Sequence, residues 1–250
     1  MRIVGTVEAR MGSTRLPGKT LMPIYKGKPL LECVVRRFKQ CKQVDELIVA
    51  TTRGEKDNPI AEWCEKNNVS FYRGSEYDVL NRVVNAARTM QADAIAQMGA
   101  DSAYLDFELM DQLINIYKSG DYDYVCNDLK LTYPLGIYGH IVRMRTLETL
   151  NERTDLSEAD RVDVVRSIFE HPEKYKVKNI EAGPDFAFSQ LRFTIDYPQD
   201  MDQAREIYAH FKGTAFSTRD LLDLYRQRPE LFKKTKNLIQ HSAAHLPAQS

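Results

Sequence analysis

Apolar and polar positions follow two different rhythms along the first half of the chain. Short β-branched or apolar runs predict strands, and apolar residues that recur every three or four positions predict helices between them. The predicted strands cover residues 3–7, 46–51, 70–72, 94–98 and 122–126. The predicted helical faces begin near Leu30, Ile60, Val79 and Leu109. This repetition favours a three-layer α/β architecture, in which helices cover both faces of a mainly parallel sheet.

The regular repetition ends after Asn127, and the later pattern is less periodic. The later segments are predicted strands at 176–180 and 191–195 and predicted helices at 159–169, 201–211 and 218–226. Ser217 is a suitable N-cap for the last helix. We therefore expect one domain over residues 1–240, with a smaller subregion at about 130–190 and a loose tail at 241–250.

The composition excludes several classes of protein. Of the 250 residues, 43% are apolar and 28% are charged, which is too apolar for a disordered chain. The net charge of zero favours neither a nucleic acid nor an anionic membrane as partner. No apolar run approaches the roughly 20 residues that cross a bilayer. The cysteines, which have no metal-like spacing, fit reduced thiols in a cytoplasmic protein.

The loop after the first predicted strand carries the strongest chemical signal. In a parallel sheet, ligands bind beyond the carboxyl ends of the strands. Residues 9–19 read ARMGSTRLPGK, which combines three cations, two glycines and two hydroxyl groups. Glycine lets backbone amides approach an anion, and Arg and Lys supply the charge-assisted hydrogen bonds that a polyphosphate needs. The composition indicates an anion-binding loop, with an ordinary surface loop as the alternative. Its spacing differs from a Walker A loop.

This loop and five later segments resemble one known family. The later segments are residues 27–30, 74–82, 132–136, 170–175 and 191–200. In this order they resemble the cytidylyltransferases that make CMP-activated sugars, which include the CMP-sialate and CMP-Kdo synthetases. The branch named after the spore coat polysaccharide biosynthesis protein SpsF is the most similar. The resemblance covers most of residues 1–211 and implies the Rossmann-like fold of nucleotide-diphospho-sugar transferases.

Two aspartates match the metal-binding positions of that family. Asp101 and Asp196 each follow a predicted strand, where an aspartate taken alone fits an ordinary turn residue. The resemblance implies that both bind Mg²⁺, which prefers oxygen ligands and usually keeps water and phosphate oxygens. The Gly-Asp-x-Pro turn of the family is altered here, because alanines stand at Ala100 and Ala103.

The resemblance also implies a nucleotide site around the first loop. The residues expected to bind the nucleotide are Ala9, Arg10, Met11, Gly12, Ser13, Arg15, Lys19, Thr51 and Arg82. The residues expected to be catalytic are Arg10, Lys19, Asp101 and Asp196. We expect the triphosphate to be bound by Arg10, Arg15 and Lys19. Arg82 lies in a predicted helix, where a solvated helix face is the alternative.

The resemblance implies a Mg²⁺-dependent enzyme that transfers CMP from CTP to an acidic acceptor and releases pyrophosphate. The family chiefly activates 2-keto sugar acids, and the sequence could equally serve another acidic acceptor, such as a phosphonate. The acceptor is expected near His140 and residues 158–161, and the implied assembly is a homodimer with contacts within about 130–190. Two alternatives stay open. A glycosyltransferase shares the sheet and a strand-end aspartate, although no clear Asp-x-Asp motif stands here. A non-catalytic nucleotide sensor is suggested by Ala100 and Ala103.

Overall fold

Seven strands form one sheet in the computed structural model, which describes residues 1–236 and 238. Its strands are β1 (Ile3–Glu8), β4 (Glu46–Thr52), β5 (Ser70–Gly74), β6 (Ala94–Gly99), β7 (Tyr124–Cys126), β8 (His140–Arg143) and β9 (Val177–Asn179). A separate two-stranded sheet joins β2 (Pro23–Tyr25) to β3 (Lys28–Pro29). The strand order in the large sheet is β5-β4-β1-β6-β8-β7-β9.

Helices cover both faces of the large sheet. They are α1 (Leu30–Phe38), α2 (Asn58–Lys66), α3 (Val79–Thr89), α4 (Phe107–Ser119), α5 (Met144–Glu152), α6 (Glu158–Val162), α7 (Arg166–Glu170), α8 (Pro198–Phe211) and α9 (Thr218–Gln227). One apolar cluster joins one sheet face to α1, α2, α4, α8 and α9, and a second joins the other face to α3, α5 and α7. Because successive strand side chains point to opposite faces, Ile3 and Val7 enter the first cluster and Val4 the second.

The sheet is mainly parallel, with one reversed strand. β5, β4, β1 and β6 run parallel, β8 runs antiparallel to both of its neighbours, and β9 runs parallel to β7. The predicted three-layer, mainly parallel architecture is therefore confirmed. The register pairs Glu8 of β1 with Ala50 of β4 and with Gly99 of β6. The carboxyl ends of the three central strands therefore lie at one edge of the sheet.

The predictions for single elements were accurate in the first half and less so in the second. All five strands predicted before Asn127 are present within two residues of their predicted ends, and Ser217 caps α9 as expected. The strand predicted at 191–195 is wrong, because the pairing found there within the described part of the chain is an isolated bridge from Arg192 to Leu135. The helix predicted at 159–169 is two short helices, α6 and α7. The buried strand β8 and helix α5 were not predicted.

The later part of the chain contributes to the central sheet. Both β8 and β9 come from the stretch at about 130–190 and pair within the large sheet. A dimer contact in this stretch stays a prediction, and the tail expected at 241–250 lies outside the described residues. Among the described helices, none has the length and apolar character needed to span a membrane. All four cysteine thiols are buried and free of disulfides.

Candidate active site

A cleft opens at the carboxyl edge of the central strands. Its volume is about 590 Å³, within the range of roughly 300–1,000 Å³ that is usual for small-molecule sites. The loop after β1 and the turn after β6 form one side of the cleft, and residues 134–138 and 162–166 contribute to its other walls. The structure therefore places an open site where the sheet topology predicts one.

The loop after β1 is held against β4 and α2. The Ala9 amide donates to the Ala50 carbonyl at 3.1 Å, and the Met11 amide donates to Asp57 Oδ1 at 2.6 Å. Asp57 is fully buried and also accepts a hydrogen bond from Thr52. Sequence reasoning missed Asp57, because its contact with Met11 joins residues 46 positions apart. This anchor fixes the base of the loop and leaves the side chains of its later residues directed to the cleft.

Lys19 joins the loop to both predicted metal-binding aspartates. Its Nζ donates to Asp101 Oδ2 at 2.7 Å, to Asp196 Oδ1 at 3.3 Å and to the Ile195 carbonyl at 2.5 Å. Burial disfavours the ammonium, but the attraction of the two carboxylates outweighs it and raises the pKa of Lys19 above its ordinary value. The two aspartates, 95 residues apart in sequence, therefore share one buried positive charge.

Asp196 lies among three cations. Besides the salt bridge with Lys19, its Oδ1 forms a salt bridge with Arg15 at 2.8 Å and its Oδ2 forms one with Arg192 at 3.1 Å. Burial favours the neutral carboxyl, but Lys19 and Arg15 overcome it and lower the pKa of Asp196. Arg192 also holds Asp200 at 2.9 Å, and it is buried. Asp196 is therefore an ionised carboxylate held by a rigid set of neighbours.

Asp101 stands on a tight turn directly after β6. The Ala100 amide donates to the Glu8 carbonyl at 2.8 Å, and the Ser102 amide donates to the Gly99 carbonyl at 3.1 Å. The side chain of Asp101 is 34% exposed and lines the cleft. The altered positions Ala100 and Ala103 are both buried in the apolar core. Backbone hydrogen bonds hold the turn, and the carboxylate faces the site.

Gly136 positions the segment that carries Asp196. Leu135 exchanges two backbone hydrogen bonds with this segment, to the Leu191 carbonyl at 2.9 Å and from the Phe193 amide at 2.7 Å. The next residue, Gly136, has φ of +92°, and a Cβ there would lie 2.4 Å from the Phe193 carbonyl oxygen. Both the backbone conformation and the close approach therefore require glycine.

Replacing Gly136 with alanine is expected to lower the free energy of unfolding by about 2 kcal/mol or more. The new Cβ would clash with backbone atoms of Phe193, and alanine is strained at a positive φ. Urea unfolding measures this directly. Gly183→Ala is the matched control: its Cβ meets nothing within 4 Å, and we expect a change below about 0.5 kcal/mol. Equal effects from the two variants would contradict the positioning role of Gly136.

Arg82 is buried in the cleft wall, with 2% of its surface exposed. The alternative of a solvated helix face is therefore wrong. One guanidinium nitrogen donates to the Ser75 carbonyl at 2.5 Å, and Nε has no partner among the described residues. Burial lowers the pKa of Arg82, and the nearby Glu8 partly offsets this effect. The side chain keeps hydrogen-bonding capacity next to the cleft.

The structure brings most of the predicted site residues together, but not all of them. The residues that line the cleft are Ala9, Arg10, Ser13, Arg15, Lys19, Arg82, Asp101 and Asp196. Met11 and Gly12 lie outside its lining, and Gly12 faces the ion pair of Lys56 and Glu76. Thr51 is fully buried inside β4 and also lies outside the lining. Nucleotide contacts from these three residues stay predictions.

Four polar side chains that were not predicted as a group meet on the cleft floor. Gln97 Nε2 donates to Glu8 Oε2 at 2.5 Å, and Gln97 Oε1 lies 2.8 Å from His140 Nδ1. His140 Nε2 lies 2.9 Å from Asp128 Oδ2. The one available signal was that Glu8 and Gln97 lie at or near the ends of predicted strands. The strand β8, which brings in His140, had no recognisable pattern.

Comparisons with known proteins find similar sequences along nearly the whole chain. The family model described as Cytidylyltransferase matches residues 4–238. The chain is 32% identical over 235 residues to the spore coat polysaccharide biosynthesis protein SpsF of Bacillus subtilis, a match that covers 91% of this chain and 95% of that protein. It is 34% identical over 119 residues to the 3-deoxy-manno-octulosonate cytidylyltransferase of Bdellovibrio bacteriovorus, covering 47% of this chain and 46% of that one.

A solved structure shows the same fold over nearly the whole chain. The structure of a cytidylyltransferase from Leptospira borgpetersenii superimposes with a TM-score of 0.87 at 27% identity, and covers 97% of this chain and 100% of that one. The family model and the SpsF relative each span most of the sequence, so the similarity is not confined to the loop after β1. The chain belongs to the cytidylyltransferase family.

Proposed function

We propose that this protein transfers CMP from CTP to a small acidic acceptor, a 2-keto sugar acid, with release of pyrophosphate and with Mg²⁺ as cofactor. The observation that carries the proposal is the meeting of Asp101, Asp196 and Lys19 beside the cationic loop, at the mouth of one cleft. Family membership supports cytidylyl transfer as the reaction class.

The two aspartates fit a magnesium site by their chemistry. Mg²⁺ is usually held by one or two carboxylates together with substrate phosphates and water. Asp101 and Asp196 supply oxygen ligands that already converge on one cation, the Lys19 ammonium. Among the described residues there is no group of three or more His, Cys, Asp or Glu side chains suited to a metal, so the remaining ligands would come from CTP and water. A bound Mg²⁺ would supply Lewis acidity and positive charge at the phosphates.

The cations of the loop neutralise the triphosphate. In the reaction, an acceptor oxygen forms a bond to the α-phosphorus while the bond from that phosphorus to the pyrophosphate oxygen breaks. Arg10 is exposed at the cleft and Arg15 and Lys19 line it, so all three can reach a phosphate chain there. Positioning and charge neutralisation supply most of what such a transfer needs from the protein.

Lys19 is proposed to have one role before CTP binds and another afterwards. In the structure its ammonium neutralises the carboxylates of Asp101 and Asp196. With Mg²⁺ held by the two carboxylates, the same ammonium would be free to bind a phosphate oxygen on its flexible four-carbon stem. The carboxylates would then be neutralised both before and after CTP binds.

The choice of acceptor is supported by similarity and by charge. A relative with 34% identity over about half of the chain is a 3-deoxy-manno-octulosonate cytidylyltransferase. Away from the loop after β1, the cleft is lined by Arg82 and Arg166, cations that can attract an acidic acceptor.

A homodimer is also part of the proposal. Light scattering at micromolar concentration tests it, and a single monomeric species would contradict it.

Calorimetric titration with CTP, UTP, GTP and ATP in the presence of Mg²⁺ tests nucleotide choice. We expect CTP to bind at least about tenfold more tightly than the others, a difference of about 1.4 kcal/mol. UDP-sugars belong in the same series, because a glycosyltransferase would bind them in preference to CTP. Equal affinity for all four triphosphates would contradict the assignment of CTP as the substrate.

A further inference from the structure

The cleft floor carries a continuous hydrogen-bonded row of side chains from three strands and one loop. Glu8 ends β1, Gln97 lies in β6, His140 begins β8, and Asp128 follows β7. All four line the cleft, and His140 and Asp128 are 4% and 5% exposed. Tyr138 stacks on the His140 ring with centroids 5.2 Å apart, and its hydroxyl lies 3.2 Å from Ser102 Oγ. We call these four residues, Glu8, Gln97, His140 and Asp128, the floor row.

The row uses only one oxygen of each terminal carboxyl group. Glu8 Oε2 accepts from Gln97, and Asp128 Oδ2 contacts His140. The other oxygens, Glu8 Oε1 and Asp128 Oδ1, are buried and have no hydrogen-bond partner among the described residues. A buried polar atom without a partner is costly, so native proteins satisfy such atoms with protein, water or ligand. Both ends of the row therefore have capacity for one more hydrogen bond.

We propose that the floor row is the acceptor subsite and that it recognises hydroxyl groups of a sugar acid through Glu8 and Asp128. This inference rests on the proposed function, since it needs an acceptor in the same cleft as CTP. It adds the part of the acceptor that is recognised, which is its hydroxyl-bearing side and not only its acid group. Gln97 and His140 are positioning residues that hold the two carboxyl groups apart at a fixed spacing.

Hydroxyl groups fit the two ends better than an ammonium group does. Burial raises the pKa of Glu8 to about 8, despite the hydrogen bond from Gln97 and the nearby Arg82, so burial favours the protonated carboxyl. A protonated carboxyl can donate as well as accept, and an ammonium group can only donate. A hydroxyl group does both. It therefore pairs with Glu8 in either protonation state and also donates to Asp128.

The acid group of the acceptor has a separate partner. Arg82 lies close enough to Glu8 for each to affect the other's pKa, and its Nε has no partner among the described residues. A carboxylate near Arg82 and hydroxyl groups over the floor row place the two kinds of acceptor group on matching side chains. The cleft therefore fits a polyhydroxylated acid as a class.

The test uses the full-length protein, CTP with Mg²⁺, and two acceptor probes. 3-Deoxy-manno-octulosonate carries an acid and several hydroxyl groups, whereas aminoethylphosphonate carries an acid and an ammonium group without hydroxyls. Pyrophosphate release is measured for the wild type and for Glu8→Ala, Asp128→Ala and Glu8→Gln. Glu230→Gln, an exposed carboxyl outside the cleft, is the control. Thermal unfolding identifies any variant that fails to fold, and calorimetry gives its affinity for CTP.

We expect the sugar acid to be the preferred probe. Glu8→Ala and Asp128→Ala should each raise its KM about tenfold or more while CTP affinity stays within about twofold. Glu8→Gln keeps a hydrogen-bonding group and should stay within about threefold of the wild type. A purely structural role would instead lower stability and CTP affinity together.

Two results would overturn the inference and leave the proposed function standing. One is an unchanged KM for the sugar acid in both alanine variants. The other is a preference for aminoethylphosphonate that depends on Glu8, which would assign the row to an ammonium group. If CTP does not bind, or if no acidic sugar in a wider panel releases pyrophosphate, the proposed function fails and the inference fails with it.

Discussion

Asp101→Asn and Asp196→Asn are each expected to lower the rate of pyrophosphate release about 10²-fold or more. Each change removes one of two carboxylates that converge on a single cation in the structure. An asparagine keeps the shape of the side chain but loses the charge that a magnesium ion needs, and metal charge supplies several kcal/mol at a phosphoryl transition state.

The two variants differ in how much structure they disturb. Asp196 also binds Arg15, Arg192 and Thr194, so its loss is expected to lower stability as well as activity. The Asp101 carboxylate forms its ion pair with Lys19, so Asp101→Asn disturbs fewer contacts than Asp196→Asn and reports mainly the catalytic effect. Asp202→Asn, an exposed carboxyl paired with Arg205, is the control and should keep wild-type turnover. Near-normal pyrophosphate release by Asp101→Asn would show that this carboxylate is not a metal ligand.

Lys19→Ala is expected to weaken CTP binding about 10- to 100-fold. The variant loses the cation that the proposal assigns to a phosphate oxygen, and it leaves Asp101 and Asp196 facing each other without a shared positive charge. Both effects raise the negative potential where the triphosphate must bind. Calorimetry with CTP and Mg²⁺ measures the affinity.

Lys66→Ala is the matched control for Lys19→Ala. Lys66 is an exposed lysine at the end of α2 and does not line the cleft, so its removal should leave CTP affinity unchanged. A Lys19→Ala variant that folds and binds CTP as tightly as Lys66→Ala would restrict Lys19 to a structural ion pair.

The parts of the fold that were predictable from sequence are those set by local periodicity. Each strand or helix before Asn127 buries one face or one stripe of side chains, so its apolar residues recur at the spacing typical of that element. β8 is four residues long and became a strand only because it is enclosed between β6 and β7. The segment at 191–195 has the composition of a strand, yet among the described residues it pairs through a single bridge to Leu135.

In the candidate site, too, local motifs were predictable from sequence and tertiary contacts were not. The loop at 9–19 and the two aspartates carry recognisable motifs, so sequence reasoning could name them. The contact of Lys19 with Asp196 joins residues 177 positions apart, and no spacing rule predicts it. The partners of Asp57 and the floor row depend on tertiary contacts of the same kind. Arg82 shows the limit in the other direction, because a helical pattern alone could not distinguish a buried arginine from a solvated one.

The most direct test of cytidylyl transfer follows the phosphorus atom itself. CTP labelled at the α-phosphorus is incubated with the protein, Mg²⁺ and 3-deoxy-manno-octulosonate, and the products are separated. Cytidylyl transfer predicts that the label appears in a CMP–acceptor conjugate in amounts equal to the pyrophosphate released, and only when acceptor and metal are both present. CTP binding without transfer of the label to any acidic sugar in a wider panel would contradict it and would favour a nucleotide sensor on the same fold.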